Sequence, residues 1–341
     1  MTPGYDCDTR FIAAHHQPAV LIDLALSRGI DSHQLLRGSG LFYEDVVGGQ
    51  ARISPLQFLA LIGNAKRLLG ADDSSFLLGQ RLLPGHYGEA SHALTHACTL
   101  QQALEQLQRF RALLNPLLTP RLLLDEQQAY LYWTDSCGSG DQQRFLTEAS
   151  LTAVVAMSRR LSGERLPWRF HLPYPQPRHV EQYWVHLGEQ LTFASQMTMM
   201  SLPLEYLHKP WPGASATAGQ VAYQASCAQL ESLGCPGSFI DQLYDYMYGN
   251  IREPLNLERV AHAFEMSPAS LKRKLHKHGT GFQEQLDQVR KHVALYLYQM
   301  KGYSNDEVAS YLRFNDTTNF RRSFKRWTGL APSSLRQLFQ S

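Results

Sequence analysis

A chain of 341 residues with 44% hydrophobic and 11% aromatic content is long enough for two domains and too apolar to stay disordered. Its formal net charge is only +2, but 15 Lys+Arg against 10 Asp+Glu put +5 on residues 241–341 and leave −3 on the rest. No apolar run approaches the roughly 18 residues of a membrane span, and five scattered cysteines without C-x-x-C spacing read as reduced thiols of a cytoplasmic protein.

The opening "MTPGYDCDTR" has no basic stretch leading into an apolar one, so no secretory leader is expected. "SPLQFLALIGNAKRLLG" (54–70) predicts a helix, with a Ser N-cap, Pro at the first helical position and a Gly stop. His92 and His96, four apart with Cys98 nearby, would set two imidazoles on one helix face, the beginning of a zinc site. The Glu of H-E-x-x-H and a third ligand are missing, so a metal-dependent enzyme with a nucleic-acid-binding tail is the alternative reading. With no Gly-rich phosphate loop, G-x-S-x-G or paired Cys–His signature, no catalytic residue, metal or cofactor is expected.

"TLQQALEQLQRFRALL" (99–114) predicts one helix with Leu100, Leu104, Leu107 and Phe110 on a single stripe. "LLLDEQQAYLYW" (122–133) reads as two short strands around a polar turn. "PWRFHLP" alternates Trp168, Phe170 and Leu172 as a half-buried strand does, and "QYWVHLGEQLTFA" gives a helix, a stop at Gly188 and another strand. The body, residues 1–209, is therefore expected to be α+β. "PWPGASATAG" (210–219) has linker composition, 220–233 reads as a helix and "CPGS" (235–238) is a second break. Residues 210–238 are accordingly expected to be a linker with a helix, and 239–341 a second, all-α domain.

That domain repeats itself. Asn256 is placed to cap a helix whose inner face is Val260, Ala261 and Phe264, and residues 265–267 make a turn. Ser267-Pro268 then starts a second helix with Leu271 and Leu275 inward and Ala269, Lys272, Arg273 and His276 on the far face. About 49 residues later the plan recurs. Ser304 and Glu307 fit a capping box, Val308, Ala309 and Leu312 face inward, and Asn315 or Asp316 caps the next helix. Phe320 and Phe324 take the places of Leu271 and Leu275, and Arg321 and Arg322 those of Lys272 and Arg273. "GFQEQLDQVRKHVALYLYQM" between the copies is one amphipathic helix with Phe282, Leu286, Val289, Val293 and Leu297 inward. Its roughly 20 residues span about 30 Å, close to the ~34 Å of a DNA turn. Two helix-turn-helix motifs on such a strut can present their second helices, 268–277 and 316–326, to adjacent major grooves. Among the cations, Arg273 and Arg322 point outward and can fork onto guanine, while Lys325 and Arg326 sit lower on the helix, where phosphate lies.

Through "SPASLKRKL", "RKHVALYL", "VASYLRFNDTTNFRRSFKRWTG" and the trailing Pro332 and Arg336, residues 239–336 resemble the DNA-binding domain of AraC/XylS transcription regulators. The resemblance implies that Ala269, Ser270 and Lys272, with Thr317, Thr318, Asn319 and Arg321, complete the base-facing set, and that His276 joins the phosphate contacts. One departure stands out. The family has Gly between the Leu and Phe of L-x-F, where this chain has Arg313, so an altered turn and an added phosphate contact are expected there. "SRGIDSHQLL", "RISPLQFLALI", "THACTLQQALEQLQRF" and "LGEQLTFASQMTMMSLPLEYLHKPWPG" make the body similar to the non-cupin, arabinose-binding-like N-terminal domain of some members. That likeness implies an effector-sensing or oligomerising domain, with the ligand unspecified. The partners it implies are double-stranded promoter DNA, a second copy of the chain, RNA polymerase and a small-molecule effector, with no membrane, and activation as the regulatory sign.

Overall fold

The computed structural model describes residues 4–332, and between Phe239 and Ile240 the chain parts into two compact units. The first unit opens with β1 (Ile12–Ala13), α1 (Gln17–Ser27), α2 (Ser32–Leu36), α3 (Tyr43–Val47) and β2 (Arg52–Ile53), with β1 and β2 antiparallel. The helices α4 (Pro55–Leu69), α5 (Ser74–Leu82), α6 (Glu89–Thr95), α7 (Leu100–Arg109) and α8 (Arg111–Leu114) follow. As its sequence indicates, α4 starts on a reciprocal Ser54–Gln57 capping box and ends at Gly70 in the left-handed conformation. The single helix expected over 99–114 is broken at Phe110, whose backbone (φ −96°, ψ 25°) ends α7. Phe110 is fully buried and meets Tyr223 edge-on, so packing of its ring overrides the helical period.

A five-stranded sheet follows, in the order β3-β4-β7-β5-β6, built from β3 (Leu118–Leu124), β4 (Gln128–Asp135), β5 (Arg169–His171), β6 (Leu191–Thr192) and β7 (Met199–Pro203). The β3–β4 hairpin turns on Asp125, whose carboxylate accepts the Gln127 and Gln128 amides at 2.7 and 2.6 Å. The strand β5 pairs antiparallel with β7 and parallel with β6, to which α10 (Val180–His186) leads. Trp168, Phe170 and Leu172 all face the core.

Across the helices, α9 (Gln143–Ser162) packs tightly on α5. Glycine is required at the crossing, because a Cβ on Gly79 would lie 2.5 Å from the Ala149 carbonyl oxygen and 2.6 Å from the Thr152 Cβ. Beside it the buried Glu148 carboxylate accepts from Ser75 Oγ (2.6 Å), Arg144 Nε (2.8 Å) and the Tyr183 hydroxyl. A buried charge is tolerated when it is paired and hydrogen-bonded in this way.

The segment 210–238, expected as a linker, lies within the first unit. The helix α11 (Ala216–Leu233) starts inside the Gly/Ala/Ser-rich stretch, capped by Ser215, and packs on α6 with Gly219 against His96. Small residues there permit close helix approach instead of marking a flexible joint. Residues 237–239 are held by the chain's own beginning: Tyr5 forms a parallel bridge to Ser238, its amide donates to Gly237 (3.1 Å), and its carbonyl accepts from Phe239 (2.9 Å).

The second unit is helical: α12 (Phe239–Gly249), α13 (Leu257–Ala263), α14 (Pro268–Lys277), α15 (Phe282–Lys301), α16 (Asn305–Tyr311) and α17 (Thr317–Thr328). The strut α15 buries Leu286, Val289, Val293 and Leu297 as expected, leaves Phe282 half-buried and also buries His292 and Tyr298. It packs on α16 and α17, and the Tyr244 hydroxyl of α12 is 2.8 Å from His292 Nδ1.

Gly79→Ala is expected to lower the stability of the first unit by about 1–3 kcal/mol in urea unfolding, while the second unit's transition stays in place.

Candidate nucleic-acid interface

Each outward-facing helix of the second unit owes its orientation to a cap, a turn and a buried pair. Asn256 caps α13 through the Arg259 amide (2.8 Å), and Ser267 caps α14 through the Ser270 amide (3.1 Å). In the second copy Ser304 and Glu307 form the capping box of α16, and Asp316, not Asn315, caps α17 through the Asn319 amide (2.7 Å). Such caps stabilise by about 1 kcal/mol each. Leu271 and Leu275 on α14, and Phe320 and Phe324 on α17, have no exposed surface. Phe324 meets Tyr298 edge-on at 5.5 Å and Phe320 meets Phe314 at 5.4 Å, giving the second copy an aromatic core.

The turns match more closely than the sequence indicates. Glu265 has φ 55° and Arg313 φ 58°, the left-handed region that glycine enters without steric cost. Met266 N–H donates to the Ala261 carbonyl at 2.9 Å, and 48 residues later Phe314 N–H donates to the Ala309 carbonyl at 2.9 Å. The turn at Arg313 is therefore unaltered in shape despite the missing glycine. Its guanidinium donates to the Arg252 carbonyl at 3.0 Å, a contact within the unit that the expectation of a phosphate role did not foresee. After the turn, Ser267 aligns with Asp316 at an offset of 49, so the second copy carries one extra residue before its second helix.

The outward residues fall into two groups. Ala269, Lys272, Arg273 and His276 on α14, with Thr318, Arg321, Arg322 and Lys325 on α17, are exposed. None of these cations has a carboxylate within ion-pair distance among the described residues, so their charge is available to a polyanion. The others are engaged locally. Ser270 is half-buried with its hydroxyl 2.9 Å from that of Ser267, and the Thr317 hydroxyl donates to Asp306. The Asn319 side-chain amide Nδ2 donates to Asp316 Oδ2 at 2.5 Å. Arg326 pairs with Asp287 on α15 at 2.7 Å. Sequence reasoning passed over Arg290, which is half-buried with its guanidinium 5.3 Å from the Phe314 ring centroid. Burial lowers its pKa, and Asp287, one helical turn before it, acts in the opposite direction. The Asp287–Arg290 spacing was the legible signal for this support beneath the second turn.

The histidine pair offers no comparable arrangement. His92 is exposed, 3.8 Å from Glu89, and His96 lies just past the end of α6 with a buried Nδ1. No group of three or more His, Cys, Asp or Glu able to hold a metal ion occurs among the described residues. Nor is any helix among them long and apolar enough to cross a membrane.

Comparison with known proteins supplies the context. The family model for the arabinose-binding domain of AraC transcription regulators, N-terminal, matches residues 29–211, and a helix-turn-helix domain model matches residues 260–338. The chain is similar to the ornithine utilization regulator of Pseudomonas aeruginosa, 29% identical over 318 residues, which cover 93% of this chain and 94% of that one. An uncharacterized HTH-type transcriptional regulator of Mycobacterium tuberculosis is 22% identical over 92% of this chain and 93% of its own. The crystal structure of the transcriptional regulator CdpR from Pseudomonas aeruginosa aligns with 94% of this chain and 98% of its own, at 22% identity and a TM-score of 0.40. The family is one of transcription regulators, which are not enzymes, and it lends no support to the metal-enzyme alternative built on His92 and His96.

Without the guanidinium contact to Arg252, the backbone cost at position 313 stands alone. Arg313→Gly is expected to be more stable than Arg313→Ala by about 1 kcal/mol in thermal unfolding; equal stabilities would contradict the left-handed turn.

Proposed function

The chain belongs to the AraC family of transcription regulators and is a DNA-binding regulator, and on that premise we propose that it is an effector-responsive activator reading promoter DNA with α14 and α17. The observation that carries this reading is the recurrence of exposed, acid-free cations immediately after a fully buried residue, Lys272 and Arg273 after Leu271, Arg321 and Arg322 after Phe320. A chance basic helix explains one such face but not two on opposite arms of a strut about 30 Å long, close to one DNA turn of ~34 Å.

In this reading Arg273 and Arg322 take bidentate positions on guanine, with Lys272 and Arg321 beside them. Ala269 and Thr318 offer methyl groups to the groove, and Thr318 a hydroxyl as well. Ser270, Thr317 and Asn319 hold the first helical turns in shape and meet the DNA only at its edge. Lys325 and His276 contact phosphate, whereas Arg326 must first leave Asp287, and Arg313 faces its own unit. The first unit binds a small-molecule effector and joins two copies of the chain, and effector binding shifts the population competent for a repeated half-site. The complex then engages RNA polymerase in the cytoplasm.

Fluorescence anisotropy on fragments taken upstream of its own and neighbouring genes tests the reading. Affinity should fall by roughly 100-fold or more between 50 and 200 mM salt; flat salt dependence with equal affinity for unrelated DNA would sink the proposal. Arg322→Ala is expected to cost about 1–3 kcal/mol and to relax preference at one base pair. Lys325→Ala should reduce the salt slope by about one phosphate equivalent, and Arg326→Ala by clearly less, since its charge is already matched by Asp287.

A further inference from the structure

The first unit contains a cleft of about 420 Å³, lined by residues of that unit alone. That volume falls within the ~300–1,000 Å³ range of small-molecule sites. Its polar wall carries two guanidinium groups, Arg10 and Arg52, beside His15 and His16, and no Asp or Glu lines it. Its apolar wall includes Phe11, Leu113 and Leu233, and the last turns of α11 close it with Gln229 and Ser232. Neither Arg10 nor Arg52 has a carboxylate partner among the described residues, and Arg52 is steadied by one hydrogen bond, to the Phe11 carbonyl at 3.1 Å.

We propose that this cleft binds a small organic oxyanion, a carboxylate or phosphate head between Arg10 and Arg52 on a short carbon body lying against Phe11, Leu113 and Leu233. Guanidinium groups pair with both heads through parallel N–H donors. Burial above all, with His15 and Arg52 adding to it, pushes the His16 pKa down to about 4, so this ring lines the cleft as a neutral hydrogen-bonding group and the positive charge rests on the two arginines. The helix α1 begins at the cleft with no side-chain cap on its amides, which adds partial positive charge. The end of α11 there contributes about half a negative charge, which two whole guanidinium charges outweigh.

The site also has a route to regulation. Its walls are residues 9–17, β2, α8 and the segment 229–235, and the second unit begins at Ile240, five residues past Cys235. An anion held there cross-links the segment that Tyr5 clamps at Ser238, at the root of the connection to the DNA-binding unit. This rests on the effector part of the reading above, and its test uses no DNA, so the two fail separately.

Isothermal titration of the full-length chain with four probes sharing one body, hexanoate, hexyl phosphate, hexanamide and hexylamine, decides it. One or both anions should bind saturably, at least about tenfold more tightly than the neutral and cationic probes, and which anion binds identifies the head group. Arg10→Gln, at an exposed side chain, should weaken binding about tenfold with an unchanged unfolding temperature. Arg52→Lys, which keeps the charge but not the fork, should weaken it less than Arg52→Gln. Equal binding of all four probes, no binding up to about 10 mM, or wild-type affinity in Arg10→Gln would overturn the proposal.

Discussion

Everything outward on the second unit depends on the complete burial of two side chains per outward-facing helix, Leu271 with Leu275 and Phe320 with Phe324. Burial of such groups is worth about 1.5–3 kcal/mol each, and it fixes how the helix is rotated about its axis. Turning α17 by a single residue, about 100°, would drive Arg321 toward the aromatic core and bring Phe320 into water. Desolvating a guanidinium costs far more than the rotation could return. The cations are thus aimed by hydrophobic packing, and the left-handed residues Glu265 and Arg313 set the entry of each helix into that packing.

A second division of labour comes from hydrogen bonds. The first turn of a helix has amides with no partner inside the helix, and short polar side chains nearby are drawn to them. Ser267 and Asp316 cap the two outward helices, and Ser270, Thr317 and Asn319 are tied to neighbouring polar groups in or beside the caps. Long cations reach past this layer. Arg313 is nevertheless captured by the Arg252 carbonyl and Arg326 by Asp287, while Lys272, Arg273, Arg321, Arg322 and Lys325 stay exposed with no carboxylate partner among the described residues.

The first unit follows a different logic, in which close approach and buried polarity hold the core. Gly79 lets α5 lie on α9, and Glu148 is satisfied by Ser75, Arg144 and Tyr183 gathered from three parts of the chain. The same unit binds its own ends together. Tyr5 ties residues 237–239 to the beginning of the chain while its hydroxyl reaches the Pro116 carbonyl at 2.7 Å. The cationic cleft lies between those two ends.

The sequence alone determined the features that depend on near neighbours in the chain. The helix-turn-helix repeat, the caps at Asn256, Ser267 and Ser304, the stop at Gly70 and the buried faces of α14 and α17 are encoded by contacts three or four residues apart, and the family resemblance rests on the same stretches. It could not say that Phe110 breaks a helix, that the small residues of 210–219 begin a packed helix, or that Arg313 adopts a glycine-like turn. Nor could it pair Arg326 with Asp287, 39 residues away, or bring Arg10, Arg52 and Leu233 to one cleft. Those outcomes were decided by tertiary structure, because a ring seeking burial, a charge seeking its counter-ion and a carbonyl seeking a donor are satisfied by whatever the fold brings near, and chain-local pattern carries no record of it.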